Sequence, residues 1–184
     1  LPHVMNLTRN VVIRSENPVG TRGHTLHTSR YDVDIRYVEF RDLGRTTIAP
    51  LDPTSNHIGR YALHLHHLMG PTMTPADGYQ FTAVGNAVFD SNSARSRIKW
   101  PIAIHNSHYG LVQGNTVYNA GGSGLVTEDG SESYNVIEKN FVARVLGEGD
   151  RRGQKSNGAI EPGSQGAAFW FRGVNNYVRN NVGV

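Results

Sequence analysis

The stretch Gly114-Asn115-Thr116-Val117 recurs along the chain with variations, and its spacing decides the fold. An Asn followed two residues later by Val appears in Gly85–Val88, Gly114–Val117, Lys139–Val142 and Arg179–Val182. Successive Asn residues lie 29, 25 and 40 positions apart. Repeats of roughly 20–30 residues built from short strands and turns are typical of a β-solenoid, in which each turn buries its apolar face on the next. Asn suits the corners because it tolerates left-handed backbone geometry.

The composition supports an all-β solenoid. The 184 residues include 21 Gly, 38% are hydrophobic, only 18% are charged, and no stretch has a clear helical period. The register also predicts strands ahead of each repeat, at 102–105, 125–129 and 167–170, and an alternating strand over 31–40. We therefore predict an all-β chain folded as a right-handed parallel β-helix of roughly six turns.

The chain is predicted to form a single domain over residues 1–184. It starts at Leu1 and stops within a repeat, so we expect it to be a fragment of a longer chain. The long last spacing indicates a loop inserted at 146–166, which is rich in Gly and charged residues. No cysteine is available for disulfides or thiolate metal sites.

The net charge is +3, and the sequence contains no extended basic stripe, which argues against a nucleic-acid partner. The sequence contains no run of 18 apolar residues, so no membrane segment is predicted in it.

A histidine-rich strand is predicted within Gly59–His67. Leu63 and Leu65 alternate there with His64 and His66. Because successive side chains of a strand point to opposite faces, the leucines are expected inside and the histidines outside. Taken alone, such a pair is most often just the solvated face of a strand.

Stacking of the turns is expected to bring further polar side chains to the same outer face. On the following predicted strands the outward residues are His105, then Glu128 or Asp129, then Trp170. Stacked strands lie about 4.8 Å apart, so side chains of adjacent turns can reach one another. An Asn/His ladder that only stabilises the stack would give the same pattern.

His64, His66 and His105 are predicted to bind a divalent metal. Three imidazoles suit zinc or nickel better than calcium, which prefers oxygen ligands. The site requires turn 61–67 to lie directly beside turn 102–106. If residues 70–100 contained a full intervening turn, His105 would be roughly 9–10 Å away and the histidines would be separate substrate contacts. No organic cofactor is predicted.

Glu128 and Asp129 are predicted to be catalytic together with His105. As neighbours on a regular strand the two carboxylates point opposite ways, so they do not form the pair that a glycosidase holds about 5.5 Å or 6.5–9.5 Å apart. A second carboxylate would come from a loop, with Asp77, Asp90 and Glu161 as candidates. Alternatively, metal and imidazole supply the acid–base function.

Several motifs resemble one protein family in matching order over most of residues 24–184. Residues 59–66 are similar to a G-x-Y-P-I-H-F-H stretch of the family of the cell-migration-inducing, hyaluronan-binding protein and the transmembrane hyaluronidase. Val126–Gly130 resembles its F-x-E-D-G segment, and Ile104–Ser107 lies where it has V-H-G-S. Phe169-Trp170 with Val174–Asn181 is similar to its F-W…N-N-N-L-I-N. Fibrocystin-like receptors share parts of this pattern.

This resemblance implies a right-handed β-helix and, for the hyaluronidase members, calcium-dependent cleavage of hyaluronan. It also implies an extracellular or cell-surface location. The shared positions are His64, His66, His105, Glu128, Asp129 and Trp170.

The leading hypothesis is an enzyme that cleaves an acidic polysaccharide such as hyaluronan, by hydrolysis or by β-elimination. Trp170 is predicted to be a partly exposed platform for a sugar ring. Basic residues are predicted to offset the substrate carboxylates, namely Arg60, Arg151, Arg152 and Lys155. The alternative is a non-catalytic glycan-binding or adhesion solenoid.

Overall fold

A computed structural model describes residues 2–28, 33–69, 78–92, 94, 96–147 and 163–184. The regular secondary structure in these ranges consists of short β-strands, which the high content of turn residues favours. In chain order the strands are β1 (Val11–Arg14), β2 (Val33–Arg36), β3 (Val38–Arg41), β4 (Leu63–His66), β5 (Phe81–Val84), β6 (Ala87–Phe89), β7 (Ile102–His105), β8 (Gly110–Gln113), β9 (Thr116–Gly121), β10 (Ser123–Thr127), β11 (Val136–Glu138), β12 (Phe141–Leu146), β13 (Ala167–Trp170), β14 (Tyr177–Arg179) and β15 (Val182–Gly183).

The strands stack into three parallel sheets, which confirms the predicted parallel β-helix. The first sheet has the order β1-β3-β6-β9-β12-β15, the second β13-β10-β7-β4 and the third β14-β11-β8-β5-β2. Each complete coil contributes one strand to each sheet, as in β4-β5-β6 and β7-β8-β9. The six rungs of the first sheet agree with the predicted number of turns.

Apolar side chains at alternate strand positions fill the interior. In the second sheet Leu63 pairs with Ile102, which pairs with Leu125, and all three are fully buried. Phe169 and Phe171 of the last rung are only partly buried, although both pack on the same core. The interior thus follows the predicted alternation, and the outward positions of the second sheet carry the polar residues of interest.

A ladder of buried Asn side chains joins the coils at one corner. Asn86 donates from its backbone N and its Nδ2 to Oδ1 of Asn115, at 2.9 and 3.0 Å. Asn115 donates in the same way to Asn140, and Asn140 to Asn181. The equivalent corners predicted for Asn86, Asn115 and Asn140 are therefore confirmed, whereas the choice of Asn180 was wrong by one residue.

Asn180 occupies a different corner position, which explains this error. It has a φ of 55°, in the left-handed region that Asn tolerates. The residues just before the ladder Asn in the other coils share this geometry; they are Gly85, Gly114 and Lys139, with φ of 66°, 63° and 56°. In the last coil Val182 pairs with Phe141, so Asn181 is the ladder residue.

A similar corner divides the strand that was predicted over 31–40. Tyr37 has a φ of 55° and separates β2 from β3, which belong to different sheets. Most of the predicted insertion at 146–166 lies outside the described residues. Among the residues that the structure describes, no helix is long and apolar enough to cross a membrane.

Candidate functional site

The second sheet brings the predicted histidines together. Strand β4 lies directly beside β7, with His66 paired to His105, so no full turn intervenes between them. His64, His66 and His105 each offer a ring nitrogen, and these three atoms lie within 4.8 Å of one another. The geometric condition for the predicted metal site is met.

His64 is held in one tautomer with its free nitrogen facing the cluster. Its Nδ1 lies 3.0 Å from the carbonyl oxygen of Gly59. A carbonyl only accepts, so Nδ1 carries the proton and the neutral ring leaves a lone pair on Nε2. The side chain is buried, and burial lowers the pKa of His64 to about 3. Nε2 of His64 lies 3.4 Å from Nδ1 of His66.

His105 is oriented by a carboxylate. Its Nε2 lies 2.9 Å from Oδ2 of Asp129, so Nε2–H donates to the carboxylate and Nδ1 faces the other histidines. Nδ1 lies 3.0 Å from Nδ1 of His66. Burial lowers the pKa of His66, and the neighbouring His105 and His67 lower it further.

Glu128 adds a buried carboxylate to this cluster. Its Oε1 accepts a hydrogen bond from the Tyr61 hydroxyl at 2.8 Å. Its Oε2 is buried without a hydrogen-bond partner, 3.5 Å from Nδ1 of His105 and 3.9 Å from Nε2 of His64. Burial raises the pKa of Glu128, and His105 and the Tyr61 hydrogen bond partly oppose this effect.

The two carboxylates do not point in opposite directions, as a regular strand would require. Strand β10 ends at Thr127, but the backbone N of Glu128 still donates to the carbonyl of Ile104, and the chain bends only at Asp129. Glu128 consequently faces Nδ1 of His105, while Asp129 binds Nε2 on the other edge of the same ring. In this arrangement Asp129 orients a histidine and Glu128 faces the cluster itself.

Trp170 belongs to an aromatic group beside the histidines. It pairs with Val126 across β10 and β13 and is partly exposed. Its ring stacks on Trp100 with centroids 6.0 Å apart, and Trp100 contacts Tyr61 at 5.2 Å. Tyr61 in turn contacts His64 at 4.9 Å, so aromatic side chains connect Trp170 to the cluster.

The remaining predicted residues lie in other places. Arg60 follows Gly59 directly, is half-buried, and has no ion pair with any described carboxylate. Asp90 is paired with Arg22 at 3.0 Å in a separate cleft, so it is not the second carboxylate of this cluster. Five further predicted residues lie outside the described residues: Arg151, Arg152, Lys155, Asp77 and Glu161.

Two residues of the site were not predicted from the sequence. Tyr61 precedes β4, and the bend at Ala62 interrupts the strand alternation before it reaches Tyr61. Arg172 follows Trp170 by two positions. Because residues two apart on a strand share a face, this spacing could have predicted that the two side chains lie together. Its guanidinium lies 5.6 Å from the Trp170 ring, and Nη1 donates to the Glu128 carbonyl at 3.2 Å.

The donor set fits a zinc-like metal better than calcium. A metal with bonds of about 2.1 Å needs nitrogen atoms roughly 3–4 Å apart, and the two measured separations are 3.0 and 3.4 Å. The partners of His64 Nδ1 and His105 Nε2 are a carbonyl and a carboxylate, which typically orient histidine ligands. The cluster offers three nitrogens and one carboxylate oxygen, fewer oxygens than calcium prefers.

The buried His64 is expected to make the metal-free protein sensitive to acid. Its pKa is about 3 in the folded protein, against the ordinary histidine value of 6.5, so the unfolded chain takes up a proton first as the pH falls below 6.5. Stability is therefore complete above pH 6.5 and declines below it. From pH 6.5 to 5 the loss from this residue is about 2 kcal/mol.

Urea unfolding in the presence of a chelator measures this loss at pH 7 and pH 5. The wild type should lose about 2 kcal/mol more than His64→Asn between the two pH values. Glu128 acts in the opposite direction because its raised pKa favours the protonated folded state, but it remains in both proteins. Equal losses in the two proteins would contradict the prediction.

Comparisons with known proteins agree with the fold. The chain is 29% identical to Fibrocystin-L from Mus musculus over 148 residues, which cover 80% of this chain and 3% of that protein. It is 30% identical to Fibrocystin-L from Homo sapiens over 125 residues, which cover 68% of this chain and 2% of that protein. The chain thus spans only a small part of these relatives. No solved structure gives a significant match. The family model described as CEMIP beta-helix matches residues 20–184, and the chain therefore belongs to the CEMIP beta-helix family.

Proposed function

We propose that this β-helix cleaves an acidic polysaccharide such as hyaluronan at the outer face of its second sheet, assisted by a metal. One observation carries the proposal: three imidazole nitrogens converge within 4.8 Å beside a buried carboxylate that has an unpartnered oxygen. Three imidazole nitrogens that face one another form a donor set that a divalent cation would bind. A ladder that only stabilised the stack would not need a buried, unpaired carboxylate, which costs free energy.

Glu128 is proposed to transfer the proton in the reaction. Burial raises its pKa toward the range in which a carboxyl group can both give and take a proton near neutral pH. Tyr61 fixes Oε1 and leaves Oε2 directed at the cluster. Asp129 holds His105 in the tautomer that presents Nδ1. A metal bound to the histidines would polarise an oxygen of the substrate.

Sugar binding is assigned to the residues around the cluster. The partly exposed Trp170 is a suitable platform for a pyranose ring, and the guanidinium of Arg172 contacts the Trp170 ring. Arg60, which follows the Gly59 that binds His64, is proposed as a further cation for the substrate. Arg152 and Lys155 remain predicted contacts. Both hydrolysis and β-elimination are compatible with this assignment, and we propose, from the family resemblance, that the activity takes place outside the cell or at its surface.

Metal analysis and glycan digestion together test the proposal. Wild type, His66→Ala and the control His3→Ala are loaded with zinc, dialysed and analysed for bound metal; His3 is exposed and lies against Phe141 of the first sheet. His66 is replaced because it lies less deeply in the fold than His64, and circular dichroism verifies that the variant folds. Each protein is then incubated with hyaluronan, and the polymer length is measured.

Stoichiometric zinc in wild type and His3→Ala, with loss from His66→Ala, is the expected result. Shortening of hyaluronan should follow the same order. Equal metal content in all three proteins, or no metal in any after loading, would reject the metal site. Retention of hyaluronan without shortening would favour the glycan-binding alternative.

A further inference from the structure

A second polar site lies in a cleft away from the histidine cluster. The cleft has a volume of about 780 Å³ and is formed by the segments around Arg22, Arg45, His57, Asp90 and Arg97. Ligand pockets typically have volumes of about 300–1,000 Å³, so the cleft is large enough for a short oligosaccharide.

The wall of the cleft is built around a buried ion pair. Arg22 is 9% exposed, and its two terminal nitrogens bind the two carboxylate oxygens of Asp90 at 3.0 and 3.3 Å. Its Nε donates to the carbonyl of Pro18 at 2.7 Å. These bonds fix the 18–22 segment against the residue that follows β6. Arg22 and Asp90 neutralise each other and supply rigidity to the cleft.

Arg45 supplies a charge that no described acidic residue neutralises. Its only polar side-chain contact within the described ranges is a donation from Nη1 to the carbonyl of Arg22 at 3.4 Å. The pKa of His24 reflects this charge: burial lowers it, and the positive charges of Arg45 and Arg60 lower it further. Asp90 is the only acidic residue among the described residues that line the cleft, and it is already paired with Arg22. The cleft is therefore cationic.

We propose that this cleft binds an anionic group of a saccharide, a uronate or a sulfate, through the Arg45 guanidinium. Hydroxyl and amide side chains line the remainder of the cleft and suit sugar hydroxyls; these are Thr21, Thr47, Thr54, Ser55, Asn92 and Ser96. Among the described residues no Phe, Tyr or Trp lines it, so none of them offers a nucleobase a ring to stack on. Guanidinium groups bind carboxylates and sulfates with well-defined geometry.

A second cavity adjoins the cleft. It has a volume of about 440 Å³, shares His57 with the cleft, and is also lined by Arg60 and Asp52. Arg60 adjoins Gly59, whose carbonyl holds His64. A polymer that occupies the cleft would thus extend toward the cluster. The choice of a glycan rests on the proposed function, whereas the anion site rests on the cleft alone.

Binding of short oligosaccharides tests the assignment independently of cleavage. Isothermal titration compares wild type, Arg45→Gln and the control Arg14→Gln, which removes an exposed arginine of β1. The probes are hyaluronan, chondroitin sulfate and neutral chitin oligosaccharides of equal length. Arg45→Gln should weaken binding of the acidic probes by about tenfold or more, because a charge-assisted hydrogen bond is lost.

Binding of hyaluronan to wild type and Arg14→Gln, with weaker binding to Arg45→Gln and none of chitin, supports the site. If only the chondroitin sulfate probe depends on Arg45, the anion is a sulfate. Unchanged affinity in Arg45→Gln, or equal binding of chitin, would overturn the proposal. Zinc content and hyaluronan length are measured on the same wild-type protein. Arg45-dependent binding without metal or cleavage would reject the enzyme and keep the cleft.

Discussion

Replacing Glu128 by Gln is expected to lower hyaluronan cleavage by about two to four powers of ten, with zinc content retained. Positioned general acids and bases contribute about this much to a reaction rate. Gln keeps the shape of the side chain and an oxygen that can accept from Tyr61, but it cannot exchange a proton at the position of Oε2. The three imidazole nitrogens are unchanged by the substitution.

Glu138→Gln is the matched control for this experiment. Glu138 is a glutamate of the third sheet, where it binds Arg179 and Gln113 away from the histidines. Its replacement should leave cleavage within a factor of about two, since ion pairs near the surface contribute little. Cleavage by Glu128→Gln at the rate of this control would show that Glu128 does not transfer the proton.

Asn115→Ala is expected to destabilise the fold by about 3 to 5 kcal/mol, which is a large fraction of a typical domain's stability. The backbone N and Nδ2 of Asn86 would lose their common acceptor. The carbonyl of Ala83 would lose the donor Nδ2 of Asn115. All three groups are buried, and each unsatisfied one costs about 1–3 kcal/mol.

Urea unfolding of Asn115→Ala and Asn181→Ala measures this cost. Asn181 accepts the same pair of hydrogen bonds from Asn140, but it is partly exposed and water can replace its oxygen. The end variant should therefore lose less than half as much stability as the central one. Equal losses at both positions would show that burial of the ladder does not determine its contribution.

The recurring Asn predicted the coil architecture, because a corner residue that bonds to its own kind must repeat once per turn. The short consensus did not give the register of the last coil. There Asn180 and Asn181 adjoin, and both the left-handed position and the ladder position accept Asn. A motif based on Val two residues later selects the wrong one, since Val182 is on an outward position equivalent to Phe141.

The histidine cluster was predictable because it depends only on alternation and on stacking of adjacent coils. The contacts that orient it were less accessible. Tyr61 and Asp129 lie just outside β4 and β10, next to bends at Ala62 and at Asp129 itself, so strand phase does not give the direction of their side chains. The cleft around Arg45 was missed because it is assembled from loop segments that carry no periodic signal.

The ladder also shows how the site can diversify without being lost. Its Asn residues are separated by 29, 25 and 41 positions, yet each coil returns the chain to the same corner. Lengthening a coil at a corner therefore changes the surroundings of the histidines while their relative positions persist. A single residue inserted within β7 would instead reverse the side-chain alternation and turn His105 into the core. Related solenoids are best aligned coil by coil, with each ligand residue identified by its coil and its position on the strand rather than by sequence spacing.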